Sequence, residues 1–322
     1  MFSIIVALYN KSAHIEKCLQ SIFNQTFTEY EIIVVNDGST DDSYEKVQKI
    51  SIPHSCQLQI INQQNMGVSS ARNNGVKQAK YDLIAFLDAD DWWEPTYLAE
   101  MKNLIDAFPE AGIFGSGYCL VKNGVSRNAD VAVEPAFKMG LINYFEVYSR
   151  NLCMPLWTSS VVIRKSIFEA EKGFKPFLKL GEDFDLWVRV ALKYPVAFLN
   201  KPLANYNQDV MLANRAVGKL HQPANHMLWN LGYLENEEQL NPDLKLLLDK
   251  LRLYILFPYY ISSRYHLVAK AELAKVDWKL HGPTDKLKYS FPVWILKIWN
   301  NFMIVGSGIK QKMIRLVLKF KK

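Results

Sequence analysis

Four short apolar segments, each followed by a stretch with a different periodicity, constrain this chain more than anything else in it. "SIIVAL" (3–8), "EIIVVND" (31–37), "LQIIN" (58–62) and "DLIAFLD" (82–88) are rich in branched residues and apolar on both faces. That is the pattern of strands in a mostly parallel sheet covered by helices. Between them, Ile15, Cys18, Leu19, Ile22 and Phe23 repeat at helical spacing, "STDDSYEKVQKI" opens on helix-capping residues, and "GVSSARNNGVKQA" runs from Gly67 as a third helix. Such alternation predicts a Rossmann-like, doubly wound α/β sheet, with ligands gathering beyond the C-terminal ends of its strands.

Beyond residue 110 the pattern loosens. "AGIFGSGYCLV" and "WTSSVVIRK" read as further strands and "EDFDLWVRVALKY" as a helix closed by Pro195. From about residue 220 the chain is helical and aromatic without strand signals, so we expect a first domain over 1–215 and a mainly helical, basic region over 216–322. A length of 322 residues with 49% hydrophobic and 22% charged side chains allows a real core. Cys18, Cys56, Cys119 and Cys153 show no CxxC spacing. With no apparent export signal, they are expected to be reduced thiols of a cytoplasmic protein.

The net charge of +6 is unevenly placed. Residues 310–322 hold six Lys or Arg and no acid, and no acid occurs after Asp285, so the body of the chain is close to neutral. This argues against a nucleic-acid-binding surface. No apolar run reaches the roughly 18–20 residues of a membrane span.

The chemistry concentrates where the strands end. "LIAFLDADDWWEP" closes the fourth strand with Asp88, Asp90 and Asp91. Two residues apart in extended chain, Asp88 and Asp90 project to one side. A hard cation such as Mg²⁺ or Mn²⁺, held by one or two carboxylates and substrate phosphates, would relieve their repulsion. A solvated acidic turn capping the next helix is the plainer alternative. The second strand ends in Asp37 and Gly38, an acceptor for a nucleobase edge beside a residue that lets backbone come close. The first ends in Tyr9 and Asn10, and Arg72 sits early in the third helix, within reach of phosphate or base. Each has a turn-chemistry explanation taken singly.

Together, "SIIVALYNKSAHIEKCLQSIFNQTF", "EIIVVNDGSTDDS", "NMGVSSARNNGVKQAKYDLIAFLDADD" and "GEDFDLWVRVA" resemble family 2 glycosyltransferases of the GT-A fold. The pieces come in the family's order and cover roughly residues 2–207. The resemblance implies an inverting transfer of a hexosyl or N-acetylhexosaminyl group from a nucleotide-diphosphate sugar, most commonly a UDP-sugar, assisted by Mn²⁺ or Mg²⁺. It implies that Ala7, Tyr9, Asp37 and Arg72 line the donor's nucleotide pocket, that Asp88 contacts the ribose side, and that Asp90 binds the metal, with Asp91 behind them. Inversion needs a carboxylate to take the acceptor hydroxyl's proton. Asp183 of "GEDFD" matches that position, with Glu182 and Asp185 as alternates; helix capping is the competing explanation for all three. The histidine that many relatives carry beyond this helix is absent from "ANYNQDVMLANR" (204–215), leaving Asp209 or Asn207 as stand-ins for a third ligand.

At the far end, Ile309, Met313, Leu316, Val317 and Phe320 share one helical face and Lys312, Arg315, Lys319 and Lys322 another. Such a helix can lie on an anionic membrane, so residues 286–322 are a candidate dock on the inner face of the cell membrane. A core helix with a solvated lysine tail fits equally well. The expected activity is transfer to a glycan or lipid-linked acceptor in surface polysaccharide or glycolipid synthesis. A sugar nucleotidyltransferase would show a Gly-rich phosphate loop near the start, where "VALYNKS" stands instead. A catalytically silent binding protein on the same fold would have lost the acidic motifs, and both are present.

Overall fold

The computed structural model describes residues 1–54, 56–209 and 219–298. Its strands are β1 (Phe2–Leu8), β2 (Tyr30–Asp37), β3 (Gln57–Gln63), β4 (Leu83–Phe86), β5 (Trp92–Trp93), β6 (Ile113–Lys122), β7 (Val125–Asn128), β8 (Met139–Ile142), β9 (Val161–Arg164) and β10 (Val196–Asn207). They form one sheet in the order β3-β2-β1-β4-β9-β6-β10-β5, with β7 added to β6 and β8 to β10. β3, β2, β1 and β4 are mutually parallel, whereas β9 runs against both β4 and β6. The fold is therefore the expected α/β one with a mostly parallel sheet. The chain winds outward from β1 to β3 and then returns to place β4 on β1's other side. That reversal opens a crevice beyond the ends of β1 and β4, where ligands of such sheets bind.

Helices cover both faces: α1 (Ile15–Phe23), α2 (Ser43–Lys49), α3 (Val68–Gln78), α4 (Tyr97–Ala107), α5 (Tyr144–Asn151), α6 (Lys165–Ala170) and α7 (Glu182–Ala191). The stripe read from the sequence packs as expected, since Ile15, Cys18, Leu19 and Ile22 are buried with Phe2, Ile4, Val6 and Leu8 of β1 and Leu98, Met101 and Leu104 of α4. On the opposite face α3 lies against β1 and β2 through Gly75, where a Cβ would stand 2.5 Å from Ile5 and 3.2 Å from Val35. Phe86, Phe168, Phe174 and Trp187 pack as one aromatic group, and each fully buried ring contributes about 1.5–3 kcal/mol. Two polar residues enter β1 and β2 without penalty, because the Ser3 hydroxyl donates to Glu31 at 2.6 Å.

"WTSSVVIRK" is only partly a strand. Thr158–Ser160 form a 3₁₀ turn and β9 begins at Val161. The chain divides into two compact units at Leu244/Lys245. The boundary expected near residue 215 falls in 210–218, outside the described residues. The turns over 223–234 and α8 (Glu235–Leu240) belong to the first unit. There Lys179 N–H donates to Asn225 O at 2.7 Å and Met227 N–H to Leu180 O at 3.1 Å, bracing the loop that enters α7.

The second unit is helical, with most of α9 (Pro242–Ile255), then α10 (Phe257–Tyr260), α11 (His266–Leu273) and α12 (Pro283–Ser290). Its buried centre is Asp249, which meets Lys245 at 2.7 Å and Arg252 at 3.2 Å and accepts from Asp277 N–H at 2.9 Å. Among the described residues no helix is long and apolar enough to cross a membrane. The amphipathic pattern over 309–322 lies outside the described residues.

Candidate active site

The crevice is built from turns at the strand ends. Near the end of β1 Ala7 is half-buried, and just after it Tyr9 is exposed and Asn10 turns the chain with φ 51°. Asn10 Oδ1 accepts from Thr40 N–H at 2.8 Å and Lys11 N–H donates to Ser43 Oγ at 2.8 Å, so the turns after β1 and β2 are locked together. Asp37 is buried and already engaged. Its Oδ1 accepts from Met66 N–H and its Oδ2 from Gly67 N–H, both at 2.8 Å, with Gln63 Nε2 at 2.7 Å. Asp37 therefore shapes the Asn65–Gly67 loop, and Gly38, at φ +71° with its Cα against Asn65, lets that loop approach. A carboxylate offers about four acceptor positions, so three bonds leave room for one more.

The turn after β4 sends its three acids in three directions. Asp88 Oδ1 takes Arg72 Nη2 at 2.5 Å. Asp90 Oδ2 takes Lys11 Nζ at 2.5 Å. Asp91 points inward, accepting from Ser159 Oγ at 2.6 Å, Asn207 N–H at 2.9 Å and Trp157 Nε1 at 3.3 Å. Burial, with the charges of Asp90 and Asp88 beside it, pushes the Asp91 carboxyl well above its usual range.

At the N-terminus of α7, Gly181 takes φ +78° against the Met227 side chain and delivers Glu182 and Asp183 to the same crevice. Buried Arg72 joins the two acidic groups, since its Nη1 reaches Glu182 at 3.1 Å while Nη2 holds Asp88. Its guanidinium also lies 5.2 Å over the Phe174 ring. Asp183 accepts from Thr158 Oγ1 at 3.2 Å and from Phe184 N–H at 2.7 Å. From the helix terminus alone one expects a weakened base. Burial outweighs Arg72 and these two hydrogen bonds, and Asp88 adds to it, so the Asp183 carboxyl lies above its usual range. Glu182 is pushed up to about 7 by burial and by Asp183, against the pull of Arg72.

Asp185 faces elsewhere. It is wholly buried with Lys175 at 2.7 Å, Arg189 at 2.9 Å and the Tyr233 hydroxyl at 2.8 Å. Asp209 is spent on the β6–β7 turn, accepting from Asn123 N–H at 2.8 and 2.9 Å.

Sequence reasoning passed over four residues of this site. Lys11 meets Asp90, and Thr158 and Ser159 tie the turn after β4 to the helix carrying Asp183; the fourth, Trp157, was legible only as an aromatic that could stack on a sugar, and here it bonds Asp91. Ser159 also fastens the turn after β4, since its Oγ accepts from Asp88 N–H at 3.1 Å and its carbonyl from Trp93 Nε1 at 2.6 Å. A histidine stands just before α1: His14, whose Nδ1 lies 3.4 Å from Asn207 Nδ2. Its pKa is lowered by burial, against an upward pull from Asp90. Trp93 is buried and stacks on Tyr97 at 4.2 Å, Trp92 lies beneath Lys17, and half-buried Trp157 packs 4.2 Å from Tyr206.

A hard divalent cation fits the donor set at Asp90. The carboxylate is one-fifth exposed or less and already draws an ammonium. Among the described residues no three His, Cys, Asp or Glu side chains converge as a closed cage. That suits an ion completed by substrate phosphates rather than a structural metal.

A Rossmann-like, mostly parallel sheet with acidic groups at its switch point is the GT-A type of fold. Residues 3–152 match the model of glycosyl transferase family 2. It is 27% identical over 320 residues to the GalNAc(5)-diNAcBac-PP-undecaprenol beta-1,3-glucosyltransferase of Campylobacter jejuni, covering 98% of this chain and 96% of that one. Over 104 residues it is 42% identical to glycosyltransferase GlyA of Streptococcus pneumoniae, 32% of this chain and 15% of that protein. Other curated relatives are likewise matched over 66% of their length or less. The fold is shared with S. aureus TarS 1-349, crystallised with UDP-GlcNAc, at a TM-score of 0.70 and 19% identity over 87% of this chain and 82% of TarS.

Proposed function

We propose that this protein is an inverting, metal-assisted glycosyltransferase that moves a hexosyl or N-acetylhexosaminyl group from a UDP-sugar to a hydroxyl of a glycan or lipid-linked acceptor. The observation that carries the proposal is Arg72, which bonds Asp88 and Glu182 together and so makes one cleft of the two acidic motifs. The Campylobacter relative, aligned over nearly its whole length, is named for transfer to an undecaprenol-linked glycan, which favours a lipid-linked acceptor.

In this reading Tyr9, Ala7 and the Asp37–Gly67 loop receive the nucleotide, with the remaining acceptor position of Asp37 available to the base. Asp88 sits on the ribose side, its orientation fixed by Arg72. Asp90 would hold Mn²⁺ or Mg²⁺, which neutralises charge developing on the departing diphosphate. Asp183 takes the proton of the attacking hydroxyl. Its raised proton affinity makes it a stronger base than a solvated aspartate while Thr158 fixes its direction. Glu182 is an alternate close by. Asp185 is the weaker alternate, since two cations and a phenol already saturate it. Asp209 could assist the metal only by leaving Asn123.

A domain of 1–215 carrying catalysis and a region of 216–322 serving the acceptor or membrane remain part of the proposal. So does a cytoplasmic protein peripheral to the inner face of the cell membrane. Asp183→Asn tests the core of the proposal. It keeps the shape and the Thr158 contact, so UDP affinity should stay within about twofold while transfer falls by 10³-fold or more, consistent with loss of a general base. Full turnover by this variant would assign the base elsewhere.

A further inference from the structure

We propose that Lys11 is a displaceable counter-ion for Asp90, whose ammonium holds that carboxylate in the absence of a divalent cation and so makes cation binding depend on the nucleotide diphosphate. The inference rests on the reading of Asp90 as the metal ligand and assigns a role to a residue outside it.

The placement is specific. Lys11 lies in the turn after β1 and Asp90 in the turn after β4, the two strands flanking the switch point. The Lys11 backbone is pinned by Ser43 at 2.8 Å, while its side chain, 18% exposed, reaches across to Asp90. Among the described residues Lys11, at 2.5 Å, is the side-chain partner of Asp90. The other nearby cations are committed. Arg72 is shared by Asp88 and Glu182, and Lys17 lies 2.9 Å over the Trp92 ring. Lys11 is the cation that can leave.

A dication arriving at Asp90 must push the ammonium away and then tolerate its charge close by. Asp88 does not relieve this, because Arg72 already neutralises it. A diphosphate brings the missing negative charge, and can bond the released ammonium as well as the ion. Bare cation should therefore bind weakly, and cation with UDP far better.

The test measures Mn²⁺ binding to the full chain from the free-ion electron paramagnetic resonance signal, with and without UDP. Four proteins are compared: the parent, Lys11→Met, Lys11→Arg and Asp90→Asn. Lys11→Met should bind bare Mn²⁺ about tenfold tighter, because one nearby like charge is gone. That gain should shrink once UDP is present, and Lys11→Arg should behave as the parent. If Asp90→Asn loses Mn²⁺ binding but Lys11→Met binds bare Mn²⁺ no tighter than the parent, the counter-ion role is wrong. If Asp90→Asn binds Mn²⁺ unchanged, the fault lies with Asp90 as ligand, and the role of Lys11 falls with it.

Discussion

The fold treats the three carboxylates between residues 88 and 91 very differently, although the sequence presents them as one acidic knot. Asp91 is an internal fastener whose two oxygens collect Ser159, Asn207 and Trp157. Removing it leaves two buried donors and the half-buried Trp157 indole without their acceptor, each buried one costing roughly 1–3 kcal/mol if unrelieved. Asp91→Ala should thus lower the unfolding free energy by about 3 kcal/mol in chemical denaturation, more than Asp90→Ala at its partly exposed site. The acids also set a pH dependence. Asp91, Asp183 and Glu182 all have carboxyls raised by burial, Glu182 to about 7. A group with a raised folded pKa stabilises fully below its unfolded value and loses that contribution as pH rises through its folded value. Stability should therefore fall between about pH 5 and 8. Glu182→Gln should flatten the slope across pH 7, and an unchanged slope in urea titrations at stepped pH would exclude Glu182 as its source.

Among the elements, those with one apolar stripe are legible and those defined by contacts are not. Ile15, Cys18, Leu19 and Ile22 repeat along α1 because a single face is buried, so periodicity reports them. β1, β2 and β4 read clearly because both of their faces are covered, whereas β3 is a partly exposed edge strand. "WTSS" carries no period at all. Its turn exists because Thr158 and Ser159 bond Asp183, Asp91 and Asp88, partners far away in the chain. Gly75 shows how an element can contradict its own propensity. Gly75→Ala would gain about 1 kcal/mol of intrinsic helix preference in α3. The added methyl would stand 2.5 Å from Ile5 and 3.2 Å from Val35, between a helix and two central strands that cannot both retreat. Overpacking of about 1–3 kcal/mol should win, and a melting temperature lowered by a few degrees would register it. A raised melting temperature would mean that α3 shifts freely on the sheet.

For the molecule as a whole, the decisive feature is the return of the chain across β1. It puts the turns after β1 and β4 side by side and makes a cleft from segments that are distant in sequence. The proposed membrane association belongs to this scale too. If residues 286–322 dock on lipid, the full chain should float with vesicles containing anionic phospholipid. It should not do so with neutral vesicles, or after the six basic residues of 310–322 are replaced by glutamine. Equal flotation of the two proteins would exclude the basic residues as the anchor.

By itself the sequence determined the alternation of strand and helix, the family resemblance, and the crowding of acids at strand ends, because each is a local pattern of residue types. Only the tertiary structure decided which charge meets which. Lys11 and Asp90 are 79 residues apart, and Arg72 and Glu182 are 110. Electrostatic and hydrogen-bond energies depend on separation through space, and the order of residues along a chain carries that separation only after the sheet has wound.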